Sequence, residues 1–131
     1  MEDLVRKYSA DTPYCPEVHF NAMTGECFLK GESYMEDMYK FYKPLLSWLN
    51  IYTTEIGQPV IFNIQLTYFN TSSSRALLDI LDILKLYEDN EGNVTVNWYY
   101  DENDPDMLDE IDDFIIEANI KINKIKTKLR E

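Results

Sequence analysis

Ten residues from Val60 to Phe69 run without a glycine or proline, and Asn70-Thr71-Ser72-Ser73-Ser74 follows at once. Within the ten, Val60, Phe62, Ile64, Leu66 and Tyr68 fall on one face of a strand. Ile61, Asn63, Gln65, Thr67 and Phe69 fall on the other. The first face is apolar and the second half polar, so this strand is covered well on one side and poorly on the other. Val94 to Tyr100 repeats the pattern, with Val94, Val96, Trp98 and Tyr100 set against Thr95, Asn97 and Tyr99. Two such strands predict a two-layer α/β fold with helices on one face of a sheet. A doubly wound sheet needs both faces apolar.

The remaining elements read around these strands. Residues 1–13 are expected to be a lead-in closed by Thr12-Pro13. Val18 to Phe20 and Cys27 to Lys30 flank turn residues and predict a hairpin. Ser33 and Glu36 have the spacing of a capping box, opening a helix over Met35 to Tyr52 that Pro44 must kink or split. A second helix is expected over Ser73 to Tyr87. A third starts near Asp104-Pro105 and is closed by Asn119. Ile120 to Ile125 alternates as a last strand. The order is β-β-α-β-α-β-α-β, and right-handed crossovers make the later strands largely parallel. The 131 residues suit one domain, 1–131.

Charge and cysteine content narrow the function classes. A net charge of -12 repels phosphate backbones and anionic lipid, so neither nucleic acid nor membrane is an expected partner. The mixed polar start predicts no signal peptide, and no run approaches the ~18 apolar residues of a membrane helix. Cys15 and Cys27 suit neither a disulfide framework nor a zinc site and read as free thiols of a cytoplasmic protein. The sequons at Asn70 and Asn93 carry no meaning without secretion.

The junction at Asn70 to Ser74 is the most informative feature. One hydroxyl suffices as a helix cap, and four are present. Three readings stand: a cap with spare polar residues, a phosphorylation site, or a site for an external phosphate or carboxylate. With no glycine-rich loop and only Arg75 beside it, the junction is not a nucleotide-binding P-loop. Asp101-Glu102-Asn103-Asp104-Pro105-Asp106 fails as a calcium loop, because Pro105 takes a ligand position and Asp106 stands where the sharp-turn glycine belongs. Its carboxylates read as helix-start charges, extended by Asp109, Glu110, Asp112 and Asp113. Lys121, Lys124, Lys126, Lys128 and Arg130 read as local charge balance. Glu36 and Asp37 read as capping residues. His19, the single histidine, has no nucleophile or metal-ligand pattern around it, so no enzyme, metal or cofactor is expected.

Four ordered blocks carry a resemblance. Gly31-Glu32-Ser33-Tyr34, Phe41 to Leu49, Tyr68 to Ser73 and Val94 to Tyr100, with the later Asp106-Met107-Leu108-Asp109, resemble the SiaC family of bacterial regulatory phosphoproteins. That resemblance implies a fold like STAS domains and anti-sigma-factor antagonists, a mixed sheet of about five strands with helices on one side. It further implies that an ATPase-type kinase of the anti-sigma-factor class phosphorylates Thr71 and a PP2C-type phosphatase reverses it. The unphosphorylated form would then bind and activate a diguanylate cyclase, raising cyclic-di-GMP and promoting biofilm. Thr71 is the expected acceptor, Ser72 and Ser73 are caps or secondary acceptors, and Asn70 shapes the turn; all four are expected at the partner surface. The alternative is an antagonist-like adaptor in a partner-switching pathway without a cyclase. Two positions depart from the family pattern. Met35 stands where a proline is usual, and Ile111 where a glycine is, on a helix surface that could face a partner.

Overall fold

β4, Val60–Phe69, lies inside a six-stranded sheet whose spatial order follows the chain, β1-β2-β3-β4-β5-β6. The computed structural model describes residues 1–128. β1 (Leu4–Arg6), β2 (Glu17–Phe20) and β3 (Glu26–Ser33) pair antiparallel. β3, β4, β5 (Val94–Asp101) and β6 (Asn123–Thr127) pair parallel. The crossovers carry α1 (Met38–Ile51, continued by a π-helical turn at Tyr52–Ile56), α2 (Thr71–Asp89) and α3 (Met107–Ala118). Because every crossover steps the same way across the sheet, right-handed connections put all the helices on one face. The strand order never doubles back across the sheet, so no crevice opens at a topological switch point.

The core lies between that face and the helices. Val18, Phe20, Cys27, Leu29, Phe62, Ile64, Leu66, Val96 and Trp98 are buried beneath Leu45, Leu49, Leu77, Ile80 and Ile111. On the opposite, uncovered face the polar residues satisfy one another. Asn97 Nδ2 donates to Asn63 Oδ1 at 3.0 Å, and Asn123 Nδ2 donates to Asn97 Oδ1 at 2.9 Å, forming a ladder over three strands.

Several expectations are corrected. The lead-in at 1–13 contains β1, which makes six strands where about five were expected. Three short residues with no alternation give little local signal. β1 is held from a distance: Trp48 Nε1 donates to the Glu2 carbonyl at 2.9 Å, and Asp3 accepts from the Ala22 amide at 2.8 Å and meets His19 Nε2 at 3.3 Å. The Ala22 and His19 hydrogen bonds hold the Asp3 carboxyl below its usual 3.8. A lowered folded value stabilises above 3.8 and is lost as pH falls through it. Protection of the β1 amides is therefore expected to drop below pH 3.8, and Asp3→Asn to abolish that acid step; exchange-resolved NMR reads both.

The capping box is also corrected. Ser33 is the last residue of β3 and is buried, and α1 is capped by Asp37, which accepts from the Lys40 amide at 3.1 Å. α1 runs through Pro44 without being split. α2 begins at Thr71, two residues before the expected start. Ile111, expected on a helix surface that could face a partner, is fully buried on the inner face of α3. Lys124 pairs with Asp112 at 2.7 Å and Lys128 with Glu102 at 4.0 Å; Arg130 lies outside the described residues.

Candidate functional site

The strand ends of β3, β4 and β5 meet at one end of the sheet, and an irregularity there sets the site. Gly31 faces Leu66, but Glu32 faces Tyr68, so Thr67 is an extra residue on β4. Gly31 has φ +116°, open to glycine and strained for other residues. The bulge reverses the last two residues of β4 relative to simple alternation. Phe69 turns inward against Trp98 and Phe114, with ring centroids 5.8 and 5.7 Å away. Tyr68, expected on the apolar face, is instead half exposed.

Asn70 follows in an extended conformation and caps α2. Its side chain accepts from the Ser73 amide at 2.9 Å, its carbonyl accepts from the Ser74 amide at 3.0 Å, and its own amide donates to the Ser33 carbonyl at 3.0 Å. One side chain thus does the capping, leaving the four hydroxyls to other roles. Thr71 and Ser72 are exposed, and among the described residues their hydroxyls have no protein partner. Ser74 Oγ donates to the Thr71 carbonyl at 2.7 Å. The first turn of α2 has no acidic side chain, so its bare amides and dipole are not answered by a local negative charge.

Ser73, expected as a cap or secondary acceptor, is fully buried. Ser33 Oγ lies 2.7 Å from both Tyr42 Oη and Ser73 Oγ, and Met35 Sδ lies 3.7 Å from Ser73 Oγ. Burial pushes the Tyr42 phenol up, and because Ser33 Oγ gives its proton to Ser73 the phenol is the donor to Ser33. Ser33 then donates to Ser73, and Ser73 to the thioether. The chain ties β3, α1 and α2 together beneath Thr71. Tyr42→Phe or Ser73→Ala leaves a buried hydroxyl short of a partner and is expected to cost about 1–3 kcal/mol, measured by denaturant unfolding. The two losses are expected to be non-additive.

Two depressions flank the junction. One, of about 420 Å³, lies between α2 and α3 and takes in Thr71, Arg75 and Phe114. Ser72 does not line it. The other, of about 660 Å³, is lined by Tyr14, Cys15, Tyr34, Met35 and Phe41. Beside it, Tyr14, Tyr34 and Tyr68 form an edge-to-face row with centroids 6.2 and 5.9 Å apart. Sequence reasoning missed this row, since its members come from three separate segments. Asp101 is spent locally, its side chain accepting from the Asn103 amide at 2.9 Å. Among the described residues no group of acidic, histidine or cysteine side chains could hold a metal ion. His19 stands half exposed on β2 beside Asp3. Among the described residues no helix is long and apolar enough to cross a membrane.

The profile of the SiaC family regulatory phosphoproteins matches residues 9–127. The chain belongs to the SiaC family. An uncharacterised protein of Pseudomonas aeruginosa (strain UCBPP-PA14) is 26% identical over 103 residues, which cover 79% of this chain and 82% of that one. Apo-SiaC from Pseudomonas aeruginosa superposes with a TM-score of 0.87 at 23% identity, covering 95% of this chain and 99% of that one. A crystal structure of the diguanylate cyclase SiaD in complex with its activator SiaC, from the same organism, gives a TM-score of 0.88 at 22% identity. It covers 95% of this chain and 100% of the matched one. The mixed sheet with helices on one face is thus the fold of SiaC proteins, with one edge strand more than the sequence suggested.

Proposed function

We propose that this SiaC-family chain is a non-enzymatic cytoplasmic switch that binds and activates a diguanylate cyclase while Thr71 is unmodified. An ATPase-type kinase adds the phosphate and a PP2C-type phosphatase removes it. The observation that carries the reading is the setting of Thr71. Its hydroxyl is exposed, it occupies the first position of a helix with no acid in its first turn, and it lines a groove. A phosphate there adds roughly two negative charges and three acceptor oxygens, favoured by the helix N-terminus. A partner packed on the groove would meet a hydrated dianion in place of a hydroxyl, and docking would have to strip that water.

Ser72 is the remaining accessible hydroxyl of the run, since Ser73 is buried and Ser74 is engaged. Asn70 holds the turn by capping α2 whether or not Thr71 is modified. The function needs no cofactor or metal. Incubation with the cognate kinase and ATP, followed by peptide mapping by mass spectrometry, is expected to place one phosphate on Thr71. Modification undiminished in Thr71→Ala overturns the assignment.

A further inference from the structure

The depression between α2 and α3 has acids along one side and a single cation on the other. Arg75 stands on α2 one turn beyond Thr71, and both line it. Across from them stand Glu110, Asp113 and Glu117, at spacings that share one face of α3. Among the described residues none of these three has an ion-pair partner. Burial first, then Asp104, Asp113 and Asp106, push the Glu110 carboxyl up. A phosphate on Thr71 therefore enters a depression that already holds uncompensated negative charge. Arg75 is the only cation lining it among the described residues.

Arg75 is available to answer that charge. Among the described residues it pairs only with Asp79, at 3.4 Å, and its side chain is 67% exposed. An exposed pair of this kind is a weak tie. Its order along the helix is also the poorer one, because an acid four residues before a base is favoured over the reverse. Arg75 precedes Asp79, whereas a phosphate on Thr71 would precede Arg75 at the same spacing. That phosphate carries up to about twice the charge of a carboxylate, and the guanidinium fork can grip two of its oxygens.

We infer that Arg75 is the positioning residue of the switch: it leaves Asp79 and holds the phosphate of Thr71 against the start of α2. The exchange has a second consequence. It uncovers the Asp79 carboxylate, which lies about 12 Å further along α2 than Thr71 at 1.5 Å per residue. One modification thus alters the charge of the helix both at its first turn and two turns beyond it.

This inference rests on the Thr71 reading above, and the experiment separates the two. Phosphothreonine is installed at position 71 of the full chain during synthesis. Its second ionisation, at about 6 when unperturbed, is followed by phosphorus NMR. A neighbouring cation favours the dianion, so Arg75→Gln is expected to raise that value by roughly half a pH unit. Arg75→Lys keeps the charge and is expected to recover most of the difference. Lys85→Gln removes the same charge roughly 20 Å along the helix and is expected to leave the titration unchanged. An Arg75→Gln titration that coincides with that of the unsubstituted chain overturns the role of Arg75 and leaves the Thr71 reading standing. An equal shift from Lys85→Gln also overturns it, since the effect would then belong to the net charge of the molecule. Treatment of the unsubstituted chain with its cognate kinase and ATP that leaves Thr71 unmodified overturns the Thr71 reading, and the role of Arg75 in the switch with it.

Discussion

Thr71→Asp is expected to lower affinity for the diguanylate cyclase by roughly 100-fold, while Thr71→Ala stays within about threefold of wild type. The same substitution is expected to raise the stability of the isolated protein slightly. A carboxylate at the first position of α2 faces bare amides and the helix dipole, worth about 0.3–1 kcal/mol. Opposite signs on folding and on binding are the signature of a switch placed on a helix start. The charge suits the free molecule and is intolerable at an interface that must exclude water. Calorimetry and thermal unfolding on one preparation read both quantities. Equal affinity for wild type, Thr71→Asp and Thr71→Ala would instead describe an adaptor whose hydroxyl run merely decorates a capped helix.

The second large effect is on folding. Trp98 is fully buried, stacks on Phe114 at 5.6 Å and meets Phe69 at 5.8 Å. Trp98→Ala is expected to cost about 3–5 kcal/mol, from lost burial and the cavity left behind. Among the described residues its buried indole Nε1 has no hydrogen-bond partner, so no hydrogen bond is lost in Trp98→Phe. That variant is expected to cost less than half as much as the alanine. Urea unfolding at unchanged slope distinguishes the two. If the phenylalanine variant is as damaged as the alanine, the indole nitrogen has a partner and the packing argument fails.

Where a residue's environment is set by its near neighbours, the sequence was enough. β4 occupies the ten residues its alternation predicted, β5 extends one residue beyond its expected end, and Asn119 closes α3 in the left-handed conformation. The failures share a cause. Ser33 has a capping-box partner three residues on, yet pairing with β4 draws it into a strand, because a parallel partner contributes across a long helical crossover that no local window contains. β1 is fixed by contacts from Trp48 and Ala22. Ser73 looked like one of four equivalent hydroxyls until α2 began two residues early, which rotated it into the core against Tyr42 and Ser33. Thr71 itself was singled out by family likeness. What the fold adds is a reason to prefer it over Ser72, which is just as exposed but does not line the groove.

The extra residue at Thr67 makes the site a matter of parity. Side chains along β4 alternate, so counting from Val60 decides which of them turn inward, and one unpaired residue shifts the count for everything after it. Deleting Thr67 would place Tyr68 directly after Leu66, and plain alternation would then turn Tyr68 outward and Phe69 inward, as the bulge does now. Closing the bulge with the residue kept, so that Thr67 pairs with Glu32, would instead send Tyr68 inward and Phe69 out to solvent. Asn70 and Thr71 would then enter α2 about one residue out of phase, roughly 100° around its axis at 3.6 residues per turn. Every hydroxyl would survive such a slip and none would keep its place. Substitutions in this strand therefore change how well the protein holds together, whereas a slip in its pairing redirects what it presents to a partner. Related chains should tolerate a one-residue gap at Thr67 better than a gap elsewhere in β4.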